Sequence, residues 1–133
     1  MAPATADGVV TKRSPYSVHE TVERLTRLVE ERGLTLFAVV DHSGEAAKVG
    51  LEMADTKLVI FGSPVAGTPV MVASPLAALD LPLKLLIWAD VGGAVSVSYN
   101  TPEYLAARHH LDDELRSRLE AIGPISDAVV SES

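Results

Sequence analysis

The chain has 133 residues, 47% of them hydrophobic and 22% charged, which suits one domain with a core that needs no covalent staples. It has no cysteine, which excludes disulfides, thiolate metal sites and cysteine nucleophiles and fits a reducing, cytoplasmic setting. A formal charge of -7 repels phosphate backbones and anionic lipid heads, so neither nucleic acid nor a membrane is an expected partner.

Residues 1–7 are small and polar, lack the basic start and apolar run of a signal peptide, and are expected to fray, as are residues 131–133. No stretch reaches the roughly 20 apolar residues of a bilayer span. Residues 8–13 alternate around Val9, Val10 and Thr11 and predict a first strand, stopped by Ser14-Pro15-Tyr16. Ser17-Val18-His19-Glu20 has the spacing of a capping box. Val18, Val22, Leu25 and Val29 then form one apolar helical face, widened by Leu28, and Gly33 supplies a left-handed stop. Glu20, Glu23, Glu30 and Glu31 make the solvated side, and His19 reads as surface.

Residues 35–41 are rich in β-branched and aromatic side chains and predict a buried strand running into Asp41-His42-Ser43-Gly44. A short helix is expected over 45–51 and another buried strand over 57–61, ended by Gly62-Ser63-Pro64. Residues 65–79 hold one or two short helices, with Pro69 and Pro75 as breaks. Residues 83–90 and 94–99 flank Val91-Gly92-Gly93, a hairpin signal, with Val95, Val97 and Tyr99 on one face and Ser96 and Ser98 on the other. Thr101 and Pro102 open a helix. Asp112 caps the next, whose stripe is Leu115, Leu119 and Ile122. Gly123-Pro124 is read as its break, with a last turn over 125–130. The order and the tight hairpin predict an α+β domain over residues 1–133, an antiparallel sheet of about five strands with helices packed on one face.

Several segments at once resemble the signature of the domain-of-unknown-function 302 (DUF302) family. They are Asp41-His42, Val49-Gly50-Leu51, Leu58-Val59-Ile60-Phe61-Gly62-Ser63-Pro64, Ala66-Gly67-Thr68-Pro69, Ala78-Leu79-Asp80-Leu81-Pro82-Leu83-Lys84, Trp88, Tyr99-Asn100, Pro102 and Tyr104-Leu105. Ser63 stands where the family usually has asparagine, another short turn former. The resemblance implies a curved sheet with helices on one side, a layout similar to the TATA-binding-protein-like fold, and a homodimer. It implies no established activity. The fold hosts many functions, and the acidic charge opposes a DNA-binding reading.

Among candidate residues, His42 ends a strand and opens a loop, where side chains often face a pocket. It is read either as a proton-transfer group near neutral pH or as a ring that fixes the turn. Asp80 and Lys84 flank Leu81-Pro82-Leu83 and form either a ligand-binding pair or an intrachain salt bridge. Tyr99 is either a ligand donor or a core tyrosine with a satisfied hydroxyl. Trp88 reads as core or dimer interface, and Tyr104 as packing on the sheet. Residues 62–69 lack the Lys-Ser/Thr ending of a phosphate loop and read as a rigid connection. His109-His110 are adjacent on a helix and chelate poorly together; a helix C-terminus that welcomes positive charge accounts for them. Ser43, Ser63 and Ser74 lie in no nucleophile motif.

The leading expectation is a homodimeric small-molecule-binding domain whose polar pocket is lined by His42, Asp80, Lys84 and Tyr99. Proton transfer on a small carbonyl or anionic ligand would suit that set. The alternative is a non-catalytic interaction module whose dimer surface is the function. A haem or metal held by His42 has one ligand and no neighbouring one to support it. No cofactor and no metal are assigned.

Overall fold

A computed structural model of the protein describes residues 6–132; of the ends expected to fray, residues 1–5 and 133 lie outside that range. Strand β1 (Val9–Ser14) is followed by α1 (Val18–Glu31). Half of the capping box forms: the Glu20 amide donates to the Ser17 hydroxyl at 3.0 Å, while the Glu20 carboxylate meets that hydroxyl at 3.5 Å and not the Ser17 amide. Val18, Leu25 and Val29 are buried on the predicted face, and Gly33 takes a φ of 69° beyond the last turn, a conformation that glycine adopts without steric penalty.

Strand β2 (Thr35–Asp41), helix α2 (His42–Lys48), strand β3 (Thr56–Gly62) and helix α3 (Pro64–Ala73) come next. A 3-10 segment, Pro75–Leu79, leads to the hairpin of β4 (Leu83–Ala89) and β5 (Val95–Asn100). Helices α4 (Pro102–His109), α5 (Asp113–Ser117) and α6 (Ile122–Val129) complete the chain. The hairpin turn is held by the Asp90 carboxylate, which accepts from the Gly92 and Ala94 amides at 2.9 and 3.0 Å.

The five strands form one antiparallel sheet in the order β1-β5-β4-β3-β2. Period-two alternation decides what each face carries. Val59, Phe61, Leu85, Ile87 and Val97 point to the helix side, where they pack with Leu25 and Val29 of α1 and with Ile122, Ile125 and Val129 of α6. Each such side chain stabilises the fold by about 1.5–3 kcal/mol relative to exposure. A second apolar cluster, Val70, Ala77, Leu105 and Leu119, ties α3, the 3-10 segment and α4 to the α5–α6 bend. No helix among the described residues is long and apolar enough to cross a membrane.

Four expectations are corrected. β2 forms over the predicted residues but is an edge strand, and Thr35 to Val39 are exposed. Its β-rich sequence set the strand type; burial depended on its place at the sheet edge, where β3 is its one strand neighbour among the described residues. Helix α2 begins at His42, not at residue 45, because Asp41 caps it. The α5–α6 break falls at residues 118–121, while Gly123 and Pro124 lie within α6. Pro124 occupies the first turn, where an amide has no intrahelical partner to lose. Pro69 likewise fails to end α3, which runs through it without the bond its amide would have made to the Val65 carbonyl.

Candidate functional site

Most of the polar signature residues hold the backbone. Asp41 accepts from the Gly44 amide at 2.9 Å and from the Ser43 hydroxyl at 3.1 Å. The same Ser43 hydroxyl accepts from the Thr56 amide at 3.1 Å and fastens α2 to β3. The Gly44 amide, helped by Ser43, Lys57 and Lys48, holds the Asp41 carboxyl below the usual carboxylate range despite some desolvation. A Cβ on Gly44 would run into this carboxylate. His42 sits at the first position of α2, exposed, and its ring makes no hydrogen bond with another of the described residues. The Asp41–Gly44 motif is therefore a helix cap and strand clip.

Asp80 follows the 3-10 segment and takes two basic partners from α4. Its Oδ2 lies 2.6 Å from His109 Nε2 and 3.6 Å from Arg108 Nε. The His109 side chain is 6% exposed, and the Ser74 hydroxyl donates to the His109 carbonyl at 3.1 Å. Val70, Leu105, Leu111 and Leu119 close around the pair, and the space there admits no water-sized molecule. This is a lock between the 3-10 segment and α4, with no room for a substrate. From sequence His109 is only a helix-end charge, since its partner lies 29 residues away in the chain.

Lys84 lies close enough to Asp80 to feel its charge. Burial lowers the Lys84 pKa and the Asp80 carboxylate opposes that shift. The ammonium donates to the Pro82 carbonyl at 3.3 Å. Tyr99 belongs elsewhere. It comes one residue after Ser98, which pairs with Leu86, so it faces the helices while Lys84 faces away. Lys12 lies 5.2 Å from the Tyr99 ring centroid and donates to Ser126 and Asp127 of α6 at 2.7 and 2.8 Å. Desolvation lowers the Lys12 pKa, but the interactions with Asp127 and Tyr99 outweigh it and leave the pKa raised. Tyr99 is thus a strut joining β1, β5 and α6.

The structure therefore leaves Lys84 within electrostatic reach of Asp80 but pairs Asp80 with Arg108 and His109 instead, and it leaves His42 and Tyr99 apart from both. Asp41 pairs with Lys57, Lys57 with Ile87, and Lys84 with Ile60. The end of β2 that carries His42 is thus two strands across and three residues along from Lys84, roughly 14 Å by strand spacing and rise. The four residues form no common network. Trp88, on the sheet face away from the helices, donates to the Ser98 hydroxyl at 2.9 Å, and Ser98 and Thr11 are bonded at 2.8 Å. Tyr104 packs over Gly8, where a Cβ would meet its ring. No three His, Asp or Glu side chains gather as metal ligands among the described residues.

Of the spaces that could hold a molecule, a broad one of about 770 Å³ lies beside Asp41, Ser43 and Gly44, and a mainly apolar cavity of about 330 Å³ lies under the first turns of α3. Residues 62–64, 66–68 and 81–83 supply most of its wall. Three stretches of the signature thus meet there, because β3 and β4 are paired antiparallel and α3 folds back over their ends. Phe37 of β2, Met71 of α3 and Leu119 near the α5–α6 bend close the remainder. Ser63, Thr68 and Arg118 are the wall residues with polar side chains. Two of these already have partners: Ser63 caps α3 by accepting from the Ala66 amide at 3.2 Å, and Arg118 donates to Glu114 at 2.9 Å. The lining therefore suits an uncharged, mainly apolar molecule and leaves no unpaired cation for an anion. Gly67, inside α3, takes no left-handed conformation. A methyl there would meet little but the Met71 methyl, 4.0 Å away.

Comparison with known proteins is consistent with this fold. The family described as "Domain of unknown function DUF302" matches residues 10–125. A protein named fluoride-specific ion channel FluC 1, from Brucella suis biovar 1 (strain 1330), is 40% identical over 111 residues, 84% of this chain and 44% of that protein. The protein of the same name from Brucella abortus biovar 1 (strain 9-941) is also 40% identical over 111 residues, which are 41% of its length. The chain thus spans less than half of the curated relatives it matches. A crystal structure of an uncharacterised conserved DUF302 protein from Bacillus stearothermophilus superposes with a TM-score of 0.77 at 19% identity, covering 94% of this chain and 97% of that one.

Proposed function

This chain belongs to the DUF302 family, and on that premise we propose that it is a homodimeric binding domain for a small, uncharged, mainly apolar molecule held beneath α3. The observation that carries the reading is the meeting of residues 62–64, 66–68 and 81–83 around one apolar cavity. Gly67 supports it. Glycine inside a helix costs about 1 kcal/mol relative to alanine, and here neither backbone conformation nor crowding demands it. What the missing side chain provides is open space in the cavity wall.

Proton transfer on a small carbonyl or anionic ligand would require His42, Asp80, Lys84 and Tyr99 to meet one substrate. Their separate positions favour binding without that chemistry. The reading is tested by fluorescence titration with N-phenyl-1-naphthylamine, an uncharged aromatic probe, against the parent protein and Gly67→Leu. Saturable binding near one probe per chain is expected, weakened at least about tenfold in the variant, which corresponds to about 1.4 kcal/mol. No saturable binding, or equal binding by a folded variant, would overturn it.

A second reading, an interaction module, is favoured by the apolar residues exposed on α3 and the 3-10 segment, Val65, Val72, Leu76 and Leu79. In the Brucella proteins the matched region is less than half of a chain named for fluoride conduction. We read it there as an accessory to the channel, and carry no conduction over to the present chain.

A further inference from the structure

We infer that two copies of this chain associate through the free edge of β2, joining two sheets into one. The strand order leaves β1 and β2 as edges, and an edge strand presents unpaired N–H and C=O groups to whatever approaches it. The two edges differ. β1 carries Lys12 and Arg13 in its middle, the kind of charge that discourages pairing. β2 has no charge from Thr35 to Val40. Along it Leu36 is 44%, Phe37 48% and Val39 40% exposed. An apolar, uncharged strand left bare in this way is an aggregation hazard, so the edge calls for a specific cover. The bulge between Leu36 and Ala38 leaves residues 38–41 as a regular run against β3, with its outer side available.

A second copy fits this edge for two reasons. The first is charge. Each chain carries -7, so copies repel one another over most orientations, and the uncharged edge is where approach is least opposed. In a two-fold antiparallel pairing centred near Ala38 and Val39, each Asp41 lies opposite Thr35, Leu36 or Phe37 of the other copy. No like charges then face each other. The second is closure. A strand paired with itself about a two-fold axis uses the same patch on both copies and leaves no further β2 edge to propagate. Phe37 lines the cavity as well as the edge, so the second copy would flank the cavity mouth. This inference rests on the proposed homodimer and is independent of the ligand reading.

The test is sedimentation equilibrium of the parent protein, Val39→Lys and Leu86→Lys between about 1 and 100 μM, the range that brackets micromolar association. Leu86 lies on the sheet face away from the helices and controls for pairing through that face. The expected result is a dimeric parent, a monomeric Val39→Lys with unchanged far-ultraviolet circular dichroism, and a dimeric Leu86→Lys. A dimeric Val39→Lys removes the β2 edge as the interface while leaving the homodimer standing. A monomeric parent throughout removes both. Hydrogen exchange of the parent supplies a measurement without a variant. Protection of residues 35–41 that rises with protein concentration supports the inference, and protection unchanged across dimerisation overturns it.

Discussion

Replacing Gly67 with alanine should raise stability, and replacing it with leucine should raise it further while removing the cavity. Gly67 is inside α3 with no positive φ, and an added Cβ finds only the Met71 methyl at 4.0 Å. Alanine therefore recovers the helix-interior difference from glycine, about 1 kcal/mol, or roughly 3 °C in Tm for a chain of this size. Leucine has nearly the helix propensity of alanine and sends three more carbons toward the 330 Å³ space. At about 0.8 kcal/mol per buried carbon, less roughly 0.5–1 kcal/mol of side-chain entropy, its gain over glycine is about 2.5 kcal/mol. The assay is urea unfolding followed by circular dichroism and by Trp88 fluorescence, with every variant at one protein concentration so that association contributes equally. Proteins are refolded from urea first, to strip any molecule carried through purification. A less stable alanine variant would refute the free space beside Gly67. A more stable leucine variant that binds the apolar probe as well as the parent would refute the cavity as the site.

Asp80→Ala leaves the buried His109 Nε2 without its acceptor and should cost about 1–3 kcal/mol in urea unfolding; a loss below about 0.5 kcal/mol would mean that the pair does not lock α4. Lys84→Met should stabilise the protein at neutral pH, by less than about 1 kcal/mol after solvent screening. The sign follows from burial, which lowers the Lys84 pKa below 10.5 in the folded state. Between the folded value and 10.5 the unfolded chain binds more protons, so parent stability rises with pH there. The advantage of the variant is then largest below the folded pKa and shrinks as pH rises toward 10.5, and an advantage that grew with pH would contradict the burial. His42→Ala should change stability by no more than about 0.5 kcal/mol, because the ring is exposed and unbonded among the described residues; a loss above about 2 kcal/mol would give the imidazole a structural role.

What the sequence makes legible here is what neighbouring residues decide among themselves. The caps at Ser17, Thr101 and Asp112 are of this kind, each a side-chain oxygen that accepts an amide three residues on. So are the hairpin, the apolar face of α1 and the strand alternation, and together they suffice for an α+β sheet with helices on one side. Burial of β2 was not legible. It depends on which strand is placed at the edge, and Thr35 to Asp41 carries the same β-rich signal at an edge as in the middle. The Asp80–His109 lock was hidden for a related reason: each residue has a sufficient local explanation, a loop carboxylate and a helix-end base, and only the packing of α4 on the 3-10 segment reveals the pair.

An apolar cavity leaves no mark in the pattern of polar groups, and the polar groups of this chain have folding duties. Asp41 caps α2, Ser63 caps α3, Asp80 locks α4, and Tyr99 braces α6. Each is explained by a hydrogen bond or contact that the fold would be weaker without. The residue that folding does not explain is Gly67, which lowers helix stability, takes no unusual φ and relieves no clash. A position that works against stability without a conformational need is where a functional requirement is most economically located. In this chain that position opens onto the cavity walled by the other signature segments. The physical role of those small and turn-forming residues is to shape an empty volume, which no pattern of charged or nucleophilic side chains would reveal.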